Sequence, residues 1–199
     1  MKYQNTLLED WIENFYIQID IHYPSQLCLE SIARKLGIFV AFRKITSRIY
    51  EDIIIIDNRL NIKQQWEEFA HEICHFYRQD GNQLIMHKEF LELQEAKAEN
   101  FALHFCVPTF MLLNYEITNY CDLTDGIPFV METFNVTEDF AKRRLIHFRN
   151  QIQQAISDEQ HRKYMESRYS KAPPYSMETK NILNKLNILL EKKKKGVTL

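Results

Sequence analysis

The stretch FAHEICHFY, residues 69–77, decides both the fold class and the chemistry of this 199-residue chain. It lies within residues 62–77, whose apolar side chains recur at the spacing of an amphipathic helix. The stretch contains an H-E-x-x-H motif, formed by His71, Glu72 and His75. On a helix, a separation of four residues puts both imidazoles on one face, where two nitrogens can converge on one zinc ion, with Glu72 to one side.

A catalytic zinc site needs three protein ligands and an open fourth position, and a second predicted helix, residues 88–106, offers the third ligand. Glu95 follows His75 by 20 residues, which is enough for a loop and a return helix. Glu92, on the same charged helix, is the alternative third ligand. Glu99 lies one turn after Glu95, and we expect its carboxylate to accept the second ring N–H of a ligand histidine.

Other side chains near the motif are candidates for metal binding or for catalysis. Cys74 and Cys106 are soft metal donors, but Cys74 adjoins His75 and points elsewhere, so both are expected to be buried core thiols. A His/His/Glu site also accepts manganese, cobalt or nickel. The sequence does not select among five candidates for an oxyanion stabiliser or proton donor: His87, His104, Tyr77, Tyr115 and Tyr120.

Outward from the two helices, the pattern predicts a mostly helical α+β fold with a small sheet. Residues 5–19 read as an amphipathic helix, and residues 27–37 as a shorter helix that ends at a glycine. Residues 38–44 and 48–57 read as two strands that could pair antiparallel. The second strand contains Ile53–Ile56, a run typical of a strand buried on both faces.

The C-terminal third is predicted to be helical. Short helices are expected at about 109–116 and 127–134, and Thr137 is the predicted N-cap of a helix that continues to about Ser157. After a linker, residues 171–176, an amphipathic helix carries three leucines on one face and a basic end: Leu183, Leu186 and Leu190.

The charge is distributed unevenly along the chain. Residues 141–199 hold 14 Lys and Arg against 5 Asp and Glu, whereas residues 1–140 hold 11 against 22. An acidic body therefore carries a basic end. With the elements above, this predicts three parts: a catalytic domain over residues 1–125, a helical segment over 126–169, and a linker with a basic amphipathic tail over 170–199.

Composition excludes several classes of protein. With 45% hydrophobic and 26% charged residues, the chain is neither disordered nor collagen-like. Its four cysteines form no C-x-x-C pair and are expected to be reduced thiols. The longest aliphatic run has four residues and the N-terminus lacks the apolar region of a signal peptide, so we expect a cytoplasmic protein with no membrane partner.

Both predicted helices resemble those of the ImmA/IrrE family of metallopeptidases. Members typically show A-H-E-x-x-H followed by E-x-x-A-N-x-F-A-x-x-L-L-M-P. Here residues 70–75 read AHEICH and residues 95–108 read EAKAENFALHFCVP. The chain departs from the pattern at Cys74, where Gly is usual, at Glu99, where Asn or Asp is frequent, and at residues 105–107. More loosely, the resemblance covers about residues 5–155.

The resemblance implies a zincin-like helix pair and a zinc-dependent metalloendopeptidase. One zinc ion per chain would be held by His71, His75 and Glu95, with Glu72 as the general base. The implied partner is a protein substrate, commonly a helix-turn-helix repressor of a mobile element or of a stress response. Residues 129–148 are similar to the C-terminal helical segment of the family, and their spacing is also similar to that of a helix-turn-helix.

Two other functions compete with proteolysis. A DNA-associated regulator with a structural or vestigial zinc site would use the basic C-terminal region, where Lys142, Arg143 and Arg144 form a modest basic patch. An interaction module would use the C-terminal leucines to hold a partner helix or another copy of the chain. The sequence leaves direct DNA binding and the oligomeric state open.

Overall fold

The computed structural model describes residues 3–50, 53–78, 87–115, 123–169 and 173–194. A single 3-10 turn, Pro24–Gln26, follows the first helix. In chain order the other elements are α1 (Leu7–Gln18), α2 (Leu29–Leu36), β1 (Phe39–Arg43), β2 (Arg48–Tyr50), β3 (Ile53–Asp57), α3 (Ile62–Arg78), α4 (Lys88–Cys106), α5 (Thr109–Leu112), α6 (Leu123–Thr133), α7 (Glu138–Arg168) and α8 (Met177–Lys194).

The predicted helix ends are confirmed where capping residues mark them. The N–H of Gln64 donates to the side chain of Asn61 at 3.0 Å, and Gln64 accepts the N–H of Asn61 at 3.1 Å, which begins α3. Gly37 ends α2 with φ of +69°, in the left-handed region that favours glycine. The hydroxyl of Thr137 accepts the N–H of Phe140 at the start of α7.

The sheet is small, as predicted, but its strands are mixed in direction, and the predicted antiparallel pairing of two strands is wrong. Residues 48–57 provide two strands instead of one, and β2 pairs antiparallel with β3. β1 lies on the other side of β3 and runs parallel to it, giving the order β1-β3-β2. The predicted burial of Ile53–Ile56 on both faces is wrong: Ile54 and Ile56 are fully buried, whereas Ile53 is exposed and Ile55 half-buried, because only one face of the strand lies fully against the core.

The core lies mainly between α3 and α4, with α1 against them. Trp66 and Phe69 of α3 are buried together with Phe101 and Phe105 of α4, and the rings of Phe101 and Phe105 stack with their centroids 5.4 Å apart. The hydroxyl of Tyr16 in α1 donates to the carbonyl oxygen of Phe105 at 2.8 Å. This packing fixes the two helices that carry the predicted metal ligands.

The cysteines of the described residues agree with the predicted reduced state. Cys74 and Cys106 are buried in the core, Cys28 is exposed, and none of the three is joined in a disulfide. Cys121 lies outside the described residues. Cys74 and Cys106 therefore occupy the core positions predicted for them.

A buried polar network joins α1, α5 and α7. The Arg144 guanidinium donates to the hydroxyl of Thr109 at 2.7 Å and to the carbonyl oxygen of Val107 at 3.0 Å. Thr109 in turn donates to the carboxylate of Glu9, which also accepts the hydroxyl of Tyr3 at 2.7 Å. Burial lowers the pKa of Arg144 to about 10, although the charge of Glu9 opposes this effect.

Burial and the charges of the same network determine the protonation state of His104. His104 lies on α4 with Nδ1 3.6 Å from the carboxylate of Glu9, and its side chain is almost fully buried. Burial, followed by the charges of Arg144 and His147, lowers the pKa of His104 to about 3 against the attraction of Glu9. At neutral pH His104 is therefore an uncharged part of the core.

Three helices after residue 108 differ in length from the prediction, and the first of them, α5, ends at Leu112 rather than near residue 116. Helix α6 begins at Leu123 rather than near residue 127, and α7 continues to Arg168, well beyond Ser157. The last part of α7 is mostly polar, with only Tyr164 and Met165 as exposed large hydrophobic residues after Ser157, and it carries ion pairs one turn apart, such as Arg162 with Glu159 at 2.8 Å and with Glu166 at 2.9 Å. Hydrophobic periodicity could not reveal such a helix.

The chain forms two compact units, Met1–Ile156 and Ser157–Leu199. The first contains the sheet, the core and the polar network. The second contains the last part of α7 and helix α8, which confirms the predicted C-terminal helix. The predicted division into functional parts at residues 125 and 169 stays a prediction. Among the described residues, no helix combines the length and apolarity needed to cross a membrane.

Candidate metal centre

Helices α3 and α4 bring together the three residues predicted to bind metal. Nε2 of His71 lies 2.9 Å from Nε2 of His75 and 3.2 Å from Oε2 of Glu95. Nε2 of His75 lies 3.7 Å from Oε1 of Glu95. The two histidine side chains are largely buried, whereas that of Glu95 is 43% exposed. The cluster is therefore buried on the side of the two histidines and open to solvent on the side of Glu95.

The spacing and the chemistry of these donors fit a divalent metal ion. One potential ligand atom from each of the three residues lies within 4.8 Å of the others. In a tetrahedral zinc site, metal–ligand bonds of about 2.0–2.1 Å separate the ligand atoms by about 3.3 Å. The observed separations of 2.9, 3.2 and 3.7 Å lie on both sides of that value. Two imidazoles and one carboxylate also form the donor set of known catalytic zinc sites.

Glu72 is buried beside the cluster, immediately after His71 on α3. Burial, followed by the negative charges of Glu68 and Glu95, raises the pKa of Glu72 to about 7, and the positive charge of Arg48 opposes the shift. A carboxyl group with such a pKa exchanges a proton readily near neutral pH. Its position is that expected for a proton acceptor next to a metal.

The two other acidic candidates of α4 lie away from the histidines. Glu92 is exposed and its carboxylate is 3.6 Å from the ammonium of Lys88, so the alternative third ligand is not part of the cluster. Glu99 is also exposed, with its carboxylate 3.9 Å from the Arg143 guanidinium. A hydrogen bond from a ring N–H of His71 or His75 to the Glu99 carboxylate is not among the contacts described for these residues, and the supporting role of Glu99 stays a prediction.

The five candidates for oxyanion stabiliser or proton donor have different surroundings in the structure. His104 belongs to the buried polar network, and exposed His87 contacts Glu89 at 2.5 Å. Tyr77 is 42% exposed and packs edge-on against Phe15. The last two are Tyr115, which packs edge-on against Phe129, and Tyr120, which lies outside the described residues.

Sequence reasoning missed Arg48, whose positive charge acts on Glu72. Arg48 lies at the start of β2, in register with Ile55 of β3. Its side chain is exposed, and its Nε donates to the carbonyl oxygen of Thr46 at 3.2 Å. The proximity depends on the position of β2 at one edge of the sheet, and nothing in the local sequence reveals it.

Sequence reasoning also missed two hydrogen bonds that join α3 to the end of α6 and to the start of α7. The ammonium of Lys63 donates to the carbonyl oxygen of Met131 near the end of α6, at 3.1 Å. One turn later, the carboxylate of Glu67 accepts the N–H of Thr137 at the start of α7, at 2.6 Å. A cation at a helix C-terminus and an anion at a helix N-terminus both complement the helix dipole. The metal-site helix therefore fixes the turn between α6 and α7.

Two proteins of Bacillus subtilis are similar to this chain in sequence. The chain is 39% identical over 164 residues to the Bacillus subtilis protein YqaB, described as uncharacterized, a match that covers 79% of this chain and 93% of YqaB. It is 37% identical over 145 residues to XkdA, a protein of the phage-like element PBSX of Bacillus subtilis, covering 71% of this chain and 72% of XkdA.

A solved structure confirms the similarity of fold. A Mycobacterium tuberculosis transcriptional regulator superposes with a TM-score of 0.51 at 17% identity, over 68% of this chain and 45% of the regulator. The family described as IrrE N-terminal-like domain, Peptidase_M78, matches residues 33–146. This range includes the sheet, both metal-site helices and the start of α7. The chain therefore belongs to the IrrE N-terminal-like family of peptidases.

Proposed function

We propose that this protein is a zinc-dependent endopeptidase that cleaves a helix-turn-helix repressor. The observation that carries the proposal is the convergence of His71, His75 and Glu95 within 4.8 Å, with Glu72 buried beside them. The donor set supports zinc, with manganese, cobalt or nickel as alternatives, and one ion per chain. A zinc ion bound there supplies a Lewis acid that polarises a peptide carbonyl and lowers the pKa of water.

The side chains of the site then have separate tasks. His71 and His75 hold the metal from the rigid face of α3, and Glu95 adds the third ligand from α4. Glu72 accepts the proton of the attacking water and delivers it to the leaving amine. Because the cluster is open to solvent on the side of Glu95, an extended segment of a protein substrate can reach it.

The repressor substrate is inferred from relatives and from family resemblance. XkdA is named as a protein of a phage-like element, and the resemblance to the ImmA/IrrE family implies a helix-turn-helix repressor of such a mobile element as the substrate. The proposed setting is therefore the cytoplasm, where such repressors act.

The DNA-binding alternative has less support from the structure. Of the three basic residues that formed its patch on α7, Arg144 is fully buried and Arg143 is paired with Asp139 at 3.0 Å. Only Lys142 of the three keeps an exposed side chain without a described ion pair. The patch at residues 142–144 is therefore a weak basis for binding duplex DNA, and the alternative rests on the remaining basic residues of the C-terminal region.

The test is incubation of the zinc-loaded protein with helix-turn-helix repressors encoded by the same genetic element. We expect cleavage of one repressor at a defined peptide bond, measured by intact-mass spectrometry of the fragments. A chelator should stop cleavage and added zinc should restore it. If every such repressor stays intact with the metal-loaded protein, the proposed substrate class is wrong.

A further inference from the structure

Helix α8 has an apolar face that the described part of the chain leaves exposed. Five Leu and Ile side chains have exposed fractions between 38% and 62%. At 100° per residue they fall within about 120° of the helix circumference, the width typical of a helix packed in a bundle. The five residues are Ile182, Leu183, Leu186, Leu189 and Leu190.

The spacing of this apolar face is symmetric about Leu186. Ile182 and Leu183 precede it by four and three residues, and Leu189 and Leu190 follow it by three and four. In an antiparallel pair of identical helices with its twofold axis at Leu186, each apolar residue of this face would therefore lie opposite an apolar residue of the partner helix. In such a pair Ile182 meets the partner's Leu190, and the two copies of Leu186 meet each other.

The charges along α8 favour the same direction of pairing. At the first end Glu178 and Lys180 cancel in charge, whereas at the other end three lysines, residues 192–194, outweigh Glu191. A parallel pair would place the two basic ends side by side, which is repulsive. An antiparallel pair places each basic end next to the uncharged end of the other helix and also opposes the helix dipoles favourably.

We propose that α8 pairs antiparallel with α8 of a second copy of this chain. The contact involves only one helix of each copy, so its area is on the order of 1,000 Å², below the range of standard stable interfaces. We therefore expect a weak dimer that forms reversibly. This inference does not depend on the proposed peptidase activity, because no residue of the metal centre lies on α8.

Sedimentation velocity of the full-length chain, from about 1 µM to about 300 µM, measures the association. We expect the mass to rise from that of one 24.0 kDa chain toward twice that value. Leu186→Lys, which places two like charges at the axis, should raise the dissociation constant at least about tenfold. The matched control is Ile188→Lys on the opposite side of α8, which should change it less than about twofold. Circular dichroism of both variants checks that the helices remain.

Disulfide trapping tests the direction of pairing. The variants Ile182→Cys and Leu190→Cys are oxidised separately and as a mixture, and wild type gives the background from the native cysteines. The antiparallel pair predicts a linked dimer in the mixture only, because two copies of residue 182 would lie about 12 Å apart along the axis. A linked dimer of each single variant with itself would overturn the proposed direction. A monomer at every concentration, or a Leu186→Lys dimer as strong as wild type, would overturn the pairing itself.

Discussion

Replacing Glu72 with Gln is expected to reduce peptide-bond hydrolysis by about 10²- to 10⁴-fold while the protein keeps its metal. Glutamine has nearly the same shape as glutamate, but its amide cannot accept the proton of the attacking water. Because Glu72 is buried beside the ligands but is not one of the three clustered donors, its replacement leaves the donor set intact. The measurement is the rate of repressor cleavage, with the metal content of the same samples determined by mass spectrometry.

The matched control is Glu92→Gln, the same chemical change at an exposed carboxylate of α4. It should alter the cleavage rate less than about twofold, as is usual for surface substitutions. Retention of wild-type activity by Glu72→Gln would contradict the role of Glu72 as general base. Loss of the metal in Glu72→Gln would also contradict it, since Glu72 would then be needed for metal binding.

Replacing Arg144 with Met is expected to lower the free energy of unfolding by about 3–5 kcal/mol. Arg144 is fully buried, and its guanidinium donates to Val107 and Thr109. Methionine fills a similar volume but leaves the buried carboxylate of Glu9 without its compensating charge. Burial raises the pKa of Glu9, but the hydrogen bonds from Thr109, Thr6 and Tyr3 lower it by more. The net shift is downward, so Glu9 remains charged in the native protein. Urea denaturation at neutral pH measures the loss.

The neighbouring residue provides the control for this substitution. Arg143→Met makes the same change on the exposed side of α7, where the pair with Asp139 is solvent-accessible, and should cost less than about 1 kcal/mol. Adding Glu9→Gln to Arg144→Met should recover part of the loss, because it removes the uncompensated charge. If Arg144→Met were no less stable than Arg143→Met, the network would not hold α7 against α1 and α5 as described.

Local signals made the metal-site helices predictable. Asn61 and Gln64 mark the start of α3, Pro108 follows the end of α4, and the four-residue spacing of His71 and His75 fixes their common face. The sequence alone distinguishes Glu95 from Glu92 as the third metal ligand less clearly. The distinction depends on the rotation of α4 relative to α3, which the packing of aromatic side chains between the helices determines.

Features that depend on distant parts of the chain could not be predicted in the same way. The parallel pairing of β1 with β3 joins segments that β2 separates in the sequence, and no turn motif encodes it. The contact of Glu9 with Thr109 joins residues 100 positions apart. The last part of α7 was missed for another reason: ion pairs such as Arg162 with Glu166 stabilise it without any apolar stripe.

The most direct test of the metal centre is the zinc content of the purified protein, measured by inductively coupled plasma mass spectrometry. We expect about one zinc ion per chain in wild type and in the control Glu92→Ala, and less than about a tenth of that in His71→Ala and Glu95→Ala. Zinc that persists in Glu95→Ala but is lost in Glu92→Ala would contradict the ligand assignment. A wild-type protein that binds no divalent metal, even after incubation with zinc, would contradict the metal centre itself.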